Sequence, residues 1–454
     1  MRKLGISALV LCLLLCLGAC VQVGSFKVNA TPSPVPTATP EAVVPTFTGG
    51  GTKEDPYRIS TAEELKLLSQ AVQPWNPQYW EYQNAHYRLE GDIVLNEDAD
   101  FENWESSPPE NLWTPIHTIA GSFDGNGHTI RGLYCKGGED CGLFKNISGR
   151  VFDLTLENAF IDGRQETKAG GTLAAAISGT VVNCKSSGTV LGGESILDSI
   201  GGMAGHNYGT MTDCTFVGKL FSTGSTLGGM AGTGNNFINC HVNGQIVCEE
   251  EDSAHAGGIV GGFSASMKDC GIENCTFSGE ILSGGVGGGI LGVNSMRNST
   301  VIVENCRSEG DLIFTKERVM DAATLSGTIF TMSRVSGGIV GYAGNYPLLT
   351  ARISERKLDN INVENAAMEI QNCTFTGRFV QPAFRFAEDV TEELLKKWED
   401  AGYIVENFYI ALEGGVLGTI GDERGYSVKI SDCTYPHAER AMDDSLRLPD
   451  KKEG

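Results

Sequence analysis

The sequence predicts an all-β fold, a parallel β-helix (β-solenoid) with a short N-terminal capping helix and one helical insertion near the C-terminus. Three observations predict it. The 59 glycines show no three-residue period and recur instead at the spacing of a structural repeat. Each repeat opens on Gly-Gly, runs through a short alternating strand into Asn-Cys or Asp-Cys, and closes with a short strand carrying a central Gly. Helical spacing of apolar residues is absent from the repeats, whose strands are β-branched and broken by Gly and Asn.

The copies fix the architecture. IGGMAGHNYGTMTDCTFVGKL starts at Ile200, LGGMAGTGNNFINCHVNGQI at Leu227 and AGGIVGGFSASMKDCGIENCTFSGEI at Ala256. GGGILGVNSMRNSTVIVENCRSEGDLI follows from Gly287, SGGIVGYAGNY from Ser336, resuming as MEIQNCTFTGRFV, and GGVLGTIGDERGYSVKISDCTYP from Gly414; a looser copy begins at Gly170. A unit this small cannot bury an apolar face alone and must stack on its neighbours. In-register stacking sets each position above its predecessor at about 4.8 Å. Cys184, Cys214, Cys240, Cys275, Cys306, Cys373 and Cys433 recur at one place in the repeat; steps of 30, 26, 35 and 31 residues separate the first five. They are expected to form an inward ladder of small apolar side chains beside Ile, Val and Met. The Asn or Asp before each Cys points the other way or sits in a turn. Disulfides along the ladder are disfavoured, because in-register neighbours point their Cβ atoms the same way. No CxxC or HxxxH pair suggests zinc. Cys135 and Cys141, flanking a Gly-rich loop, are the candidate disulfide; Cys270 and Cys275 are a weaker pair.

The first 20 residues, MRKLGISALVLCLLLCLGAC, combine basic Arg2 and Lys3, an apolar run from Leu9 to Leu17, and small residues up to Cys20. This is the pattern of a secretion signal. Leu17-Gly18-Ala19-Cys20 resembles a bacterial lipobox, which implies cleavage before Cys20 and lipidation of its thiol. An ordinary signal peptide or a retained anchor is the alternative. Each buried methylene of the lipid would add about 0.8 kcal/mol of membrane binding. Residues 20–50 are a Thr/Pro-rich tether without apolar period. No later stretch is apolar enough to span a membrane, and SLRLPDKKEG at the end offers no hydrophobic tail. The net charge of −22 becomes −24 once Arg2 and Lys3 are removed. Such a chain repels phosphate backbones and anionic headgroups, so nucleic acid is not an expected partner.

The folded part is expected from about Gly51. GTKEDPYRISTAEELKLLSQAV carries a capping box, Ser60 with Glu63, and a short helix with Leu65, Leu68 and Val72 on one face. YRLEGDIVL from Tyr87 alternates like a strand. GSFDGNGHTIRGLY then reads as a corner: Gly125, Asn126 and Gly127 suit a tight turn, Phe123 and Ile130 enter the core, and Asp124 braces the turn. An acid-base role for Asp124 with His128 is the competing reading.

In this order, GTKEDPYRISTAEELKLL, YRLEGDIVL, GSFDGNGHTIRGL and the Gly-Gly repeats resemble the GLUG-motif family of bacterial surface proteins, from about Gly51 to Pro436. The resemblance implies a right-handed parallel β-helix exposed on the cell surface, often in adhesin-like proteins. Related repeats occur within large zinc peptidases, whose HExxH pair is missing here. The chain then divides into a signal peptide (1–19), the tether (20–50), a capping segment (51–134), the solenoid (135–436) with insertions at about 312–335, 346–369 and 381–410, and a polar tail (437–454). The last insertion predicts a helix of about 12 residues capped by Asp389 and Glu392, with Leu394, Leu395 and Trp398 inward; it serves either as a cover for the stack or as a binding element.

No catalytic, cofactor-binding or metal-ligating set emerges. GEDC at Gly138 and EEEDSAH at Glu249 lie in expected turns, where an acidic run is a solvated loop unless it binds calcium or does chemistry. The histidines, His86, His117, His128, His206, His241 and His255 among them, are scattered. The expected function is a non-catalytic, lipid-anchored surface protein that binds a host or envelope glycan or protein. The alternative is a polysaccharide-active β-helix enzyme, which would gather three or more charged side chains in a groove on one face.

Overall fold

A computed structural model describes residues 42–435, apart from 196–197, 225, 250–254, 264–269, 295–299, 315–317, 321–334, 344–367, 381–383, 387–390, 392–395, 397–412, 415 and 421–427. The chain forms a parallel β-solenoid of about eight turns. One coil illustrates the rest. Ala169–Gly170 lies on a first face, Ala174–Ile177 and Thr180–Val182 on a second, and Lys185–Leu191 on a third, before Ser199–Gly201 returns to the first. All registered strand pairs are parallel and stack coil on coil; Val151, Val181, Met211, Phe237, Ile272, Val303 and Ile370 are successive register partners. Each of these seven side chains is buried. Burying one such side chain contributes about 1.5–3 kcal/mol, so the repeat is a device for adding equal increments of core.

The Gly-Gly pair has a steric cause. A Cβ on the first glycine would lie 2.0 Å from Ala204 O at Gly201, 1.8 Å from Ala231 O at Gly228 and 1.9 Å from Val260 O at Gly257. A Cβ on the second would strike the next coil, 2.1 Å from Gly258 O at Gly229 and 2.0 Å from Gly289 O at Gly258. The central glycine of the third face is forced in the same way: a Cβ at Gly218 would sit 2.0 Å from Gly188 O, and one at Gly244 2.1 Å from Gly218 O. Close approach, not positive φ, requires glycine at these opening pairs.

Positive φ appears instead at the corner between the second and third faces. Asp153, Asn183, Asp213, Asn239, Asn274, Asn305, Asn372 and Asp432 have φ between 50° and 55°. Asn and Asp tolerate this left-handed conformation better than other residues with a Cβ. The side chains form an exposed ladder: Asn183 Nδ2 donates to Asp153 Oδ1 (2.6 Å), and Asn239 Nδ2 to Asp213 Oδ1 (2.9 Å). The kink aims the following residue inward, which is why a cysteine recurs there. Leu154, after Asp153, fills that place one coil earlier and is 1% exposed.

The cap departs from the sequence expectation in four ways. Helix α1 spans Ala62–Ala71, and its capping box is Thr61 with Glu64 rather than Ser60 with Glu63; Glu64 also accepts from Ser60 N at 2.6 Å. Leu65, Leu68 and Val72 are fully buried beneath it. A second helix, α2, spans Tyr79–Asn84. YRLEGDIVL is two strands, not one: His86–Leu89 joins the second face and Ile93–Val94 the third, with a turn at Glu90-Gly91-Asp92. The stack also starts well before residue 135. Tyr57 pairs with Tyr87, Tyr87 with Phe123 and Phe123 with Val151, so the capping segment supplies rungs itself.

Part of the expected insertion at 312–335 also belongs to the stack. Asp311–Phe314 pairs with Glu280–Ser283, and Leu312 is buried. Arg318–Met320 leaves the stack and pairs with Phe384–Phe386. Of the helix expected after Ala387 only Thr391 and Lys396, the latter helical, are described; most of 346–369 and all of the tail lie outside the described residues.

Candidate binding cleft

Cys20 lies outside the described residues. The seven repeat cysteines are thiols placed one per coil, and all but Cys433 are fully or almost fully buried. Their Sγ atoms face carbonyl oxygens of the preceding coil, for example Cys240 to Met211 O (3.5 Å) and Cys306 to Ile272 O (3.4 Å). Burial pushes the Cys184 thiol up to about 12, which leaves that residue essentially without thiolate at neutral pH; hydrogen bonds from neighbouring ladder cysteines act the other way on Cys240 and Cys306. Cys135 and Cys141 are also thiols in the structure, with their sulfurs 2.9 Å apart. Cys135 donates to Cys141, and this shared proton raises the first thiol and lowers the second.

FDGNGHTI is a turn whose residues have separate partners. Asp124 Oδ1 accepts from Asn126 N at 2.7 Å; Asn126 and Gly127 have φ of 50° and 77°. Arg88 donates to Asn126 Oδ1 at 2.7 Å. His128 contacts Asp92 at 3.2 Å instead of Asp124. The backbone N–H of Thr129, then His128, holds the Asp92 carboxyl below the ordinary range. The acid-base reading of Asp124 with His128 has no geometric basis.

Charged side chains do gather on the first coils. Arg88 lies 4.0 Å from Glu90 and 3.9 Å from Asp124; Arg131 lies 2.8 Å from Glu157 and 3.6 Å from Asp98. Asp162, almost fully buried, is held by Arg164 (2.8 Å) and Lys136 (3.2 Å). Opposite charges alternate in these clusters, so they neutralise one another. Further along, Glu273 is the register partner of Glu304, and Glu280 that of Asp311. Adjacent coils are about 4.8 Å apart, near the spacing of retaining glycosidase carboxylates. These acids accept from Asn274, Gln371, Gln245 and Arg378 and stand on solvent-accessible strand faces. In the acidic run EEEDSAH, Glu249 is described and 250–254 is not; His255 begins a first-face strand. Among the described residues no group of three or more His, Cys, Asp or Glu could hold a metal ion.

A cleft of about 370 Å³ lies beside α1, lined by Lys66, Ser69, Gln70, Gln73, Trp75, Trp113 and their neighbours Leu112 and Thr114. Two segments about forty residues apart build it, and hydrogen bonds fix both. Ser69 Oγ donates to Thr114 O (2.7 Å), and Gln73 Nε2 to Pro115 O (3.1 Å). Trp113, buried, donates its indole N–H to Leu143 O at 3.1 Å. Asn96 clamps the loop from the other side, donating to Asn111 O (2.9 Å) and accepting from Asn111 N (3.1 Å). Asn76 Nδ2 ties the turn carrying Trp75 to Ala71 O (2.8 Å) and Val43 O (2.9 Å). On this rigid frame Trp75 remains 42% and Leu112 59% exposed. Sequence reasoning missed the cleft. Its one sequence signal is QPWNP, a tryptophan between two prolines just past a helix end, where it has no helix face to pack on.

No family model matches the sequence. Among curated proteins, Halomucin from Haloquadratum walsbyi is 29% identical over 172 residues, 36% of this chain and 2% of that protein. The chain therefore spans a very small part of the relative it matches. Among solved structures, that of a candidate immunoglobulin A1 protease from Bacteroides ovatus aligns with a TM-score of 0.43 and 17% identity, covering 78% of this chain and 90% of that one.

Proposed function

We propose that this chain is an exported, lipid-anchored β-solenoid of the GLUG-repeat type that acts as a non-catalytic binding protein at a bacterial cell surface, adhesin-like in character. The observation that carries the reading is the cap cleft: an exposed indole and polar side chains on a hydrogen-bonded frame, in the first folded elements after the tether. The frame suits recognition, because a preformed site loses little entropy on binding. Cys20 supplies the anchor and residues 20–50 the reach. The paired charges of the coils suit a stiff, soluble spacer. The Asn and Asp ladder and the buried cysteines are structural.

Two experiments test it. Wild-type cells should incorporate labelled palmitate into the protein and retain it in the membrane fraction, whereas Cys20→Ala should appear in the medium. Retention of Cys20→Ala without processing would remove the anchor from the proposal. Glycan and protein arrays should give saturable binding with no shortened product. The register pairs Glu273 with Glu304 and Glu280 with Asp311 favour a second reading, a polysaccharide-active enzyme. Product formation that Glu304→Gln or Asp311→Asn abolishes would establish that reading and refute the first.

A further inference from the structure

We propose that the cap cleft is a subsite for an acidic pyranose, a sugar ring bearing a carboxylate, with its apolar face on Trp75 and its carboxylate on Lys66. This inference rests on the binding reading above and names the ligand of that same cleft. Three observations carry it together. The volume, about 370 Å³, lies within the range of small-ligand sites, about 300–1,000 Å³, and holds one or two sugar rings. Trp75 is 42% exposed in a turn pinned by Asn76 and lines the cleft, so part of its indole surface is open to a ligand. Pyranose rings present one face of C–H groups, which suits the negative face of an aromatic ring.

The polar side of the cleft sets the charge. Lys66 is its sole ionisable lining residue. It forms no ion pair within 4 Å among the described residues, and Glu63, one turn earlier on α1, does not reach it. With no acidic partner among the described residues of a chain of net charge −22, Lys66 is placed to meet an acid from outside. Gln70, four residues on along α1 and exposed, presents an amide that can both donate to and accept from ring hydroxyls. Gln73 and Ser69 are committed to the frame through their donors, so discrimination falls to Lys66 and Gln70. Sialic and uronic acids share this chemistry, and the test separates them.

The test uses the soluble mature chain with oligosaccharides ending in glucuronate, in sialate, or in the carboxyl-reduced neutral sugar. Titration calorimetry or surface plasmon resonance reads the affinity. At least one acidic ligand should bind about tenfold more tightly than its neutral counterpart, the effect of one charge-assisted hydrogen bond. Lys66→Gln should erase that preference, and Trp75→Ala should weaken both ligands about tenfold. Trp80→Ala, an exposed tryptophan outside the cleft, should change nothing. Both cleft side chains are solvent-accessible, and an unchanged circular dichroism spectrum and melting temperature would exclude misfolding. Equal affinity for acidic and neutral sugars overturns the assignment, as does binding that survives both substitutions. Absence of saccharide binding up to about 1 mM also overturns it. Binding through a site untouched by Lys66→Gln and Trp75→Ala would leave the binding reading intact while removing this subsite.

Discussion

Gly229→Ala tests the reason given for the Gly-Gly pair. The added Cβ would sit 2.1 Å from Gly258 O of the next coil and 2.6 Å from Val242 Cγ1. Ordinary contact begins near 3.4 Å, so the carbonyl is about 1.3 Å too close. The obstacle is backbone, which cannot rotate away. Relief requires parting two coils, and that stretches Gly229 N to Gly257 O (3.1 Å) and Met230 N to Ile259 O (2.8 Å). Overpacking costs about 1–3 kcal/mol, and each weakened hydrogen bond about 1 kcal/mol. Alanine recovers about 0.4–1 kcal/mol by restricting the unfolded chain. The net expectation is a loss of about 2–4 kcal/mol. Gly262→Ala is the matched control, since a Cβ there would meet nothing nearer than Val293 O at 3.4 Å; it should lie within about 0.5 kcal/mol of wild type. Urea unfolding followed by far-UV circular dichroism measures both. Hydrogen exchange should place the added opening of Gly229→Ala in the coils around Gly229 and Gly258, because a solenoid propagates strain to nearest neighbours. If the two variants fall within 0.5 kcal/mol of each other, close approach is not what selects glycine.

Two further perturbations follow. Cys135 and Cys141 stand in thiol contact, and in an oxidising compartment they should form a disulfide. Intact-mass and peptide mapping without reductant should find the linked pair, and alkylation of both thiols in unreduced, denatured protein would refute it. His206 is mostly buried, and burial lowers its pKa below the ordinary 6.5. The unfolded chain therefore takes up this proton at higher pH than the folded one, so stability falls as pH drops through about 6.5 towards the folded value. Melting temperatures between pH 7.5 and 5 should decline, and His206→Gln, keeping a partner for Thr233 Oγ1 at 2.7 Å in wild type, should flatten the decline. An identical slope in the variant would assign the effect elsewhere.

What was legible in the sequence was whatever the stack repeats. Glycine at a carbonyl collision, Asn or Asp at a left-handed corner and a small thiol just inside it recur because each coil meets the same neighbours. Where a coil satisfies the same geometry with another residue, the pattern hides: Leu154 does the work of a cysteine, so the Asn-Cys or Asp-Cys signature is missing from its coil. Single events were harder. Both Ser60 with Glu63 and Thr61 with Glu64 have capping-box spacing, and only the hydrogen bonds from Glu64 N to Thr61 and from Thr61 N to Glu64 select the second. YRLEGDIVL alternates throughout, yet the turn at Gly91 sends its halves to different faces. The cleft was illegible for a stronger reason. Lys66 and Leu112 become neighbours only after the cap has folded on the first coils, and nothing local in either segment encodes the other.

The same contrast bears on where function can sit. On a coil face, register brings like positions together, so an outward side chain finds its neighbours about 4.8 Å above and below. Such a row is stable when its members bond to one another, as Asn183 does to Asp153 and Arg131 to Glu157, and a row satisfied internally has little left to offer a ligand. A site with unsatisfied groups needs a break in the repeat. The break described most fully is the cap, where α1 and the loop at Leu112 escape the register and leave Trp75 partly exposed and Lys66 without an ion pair among the described residues. For this fold, departure from the repeat is the physical reason to look at the cap first, and the argument would apply equally to any other irregular segment of the chain.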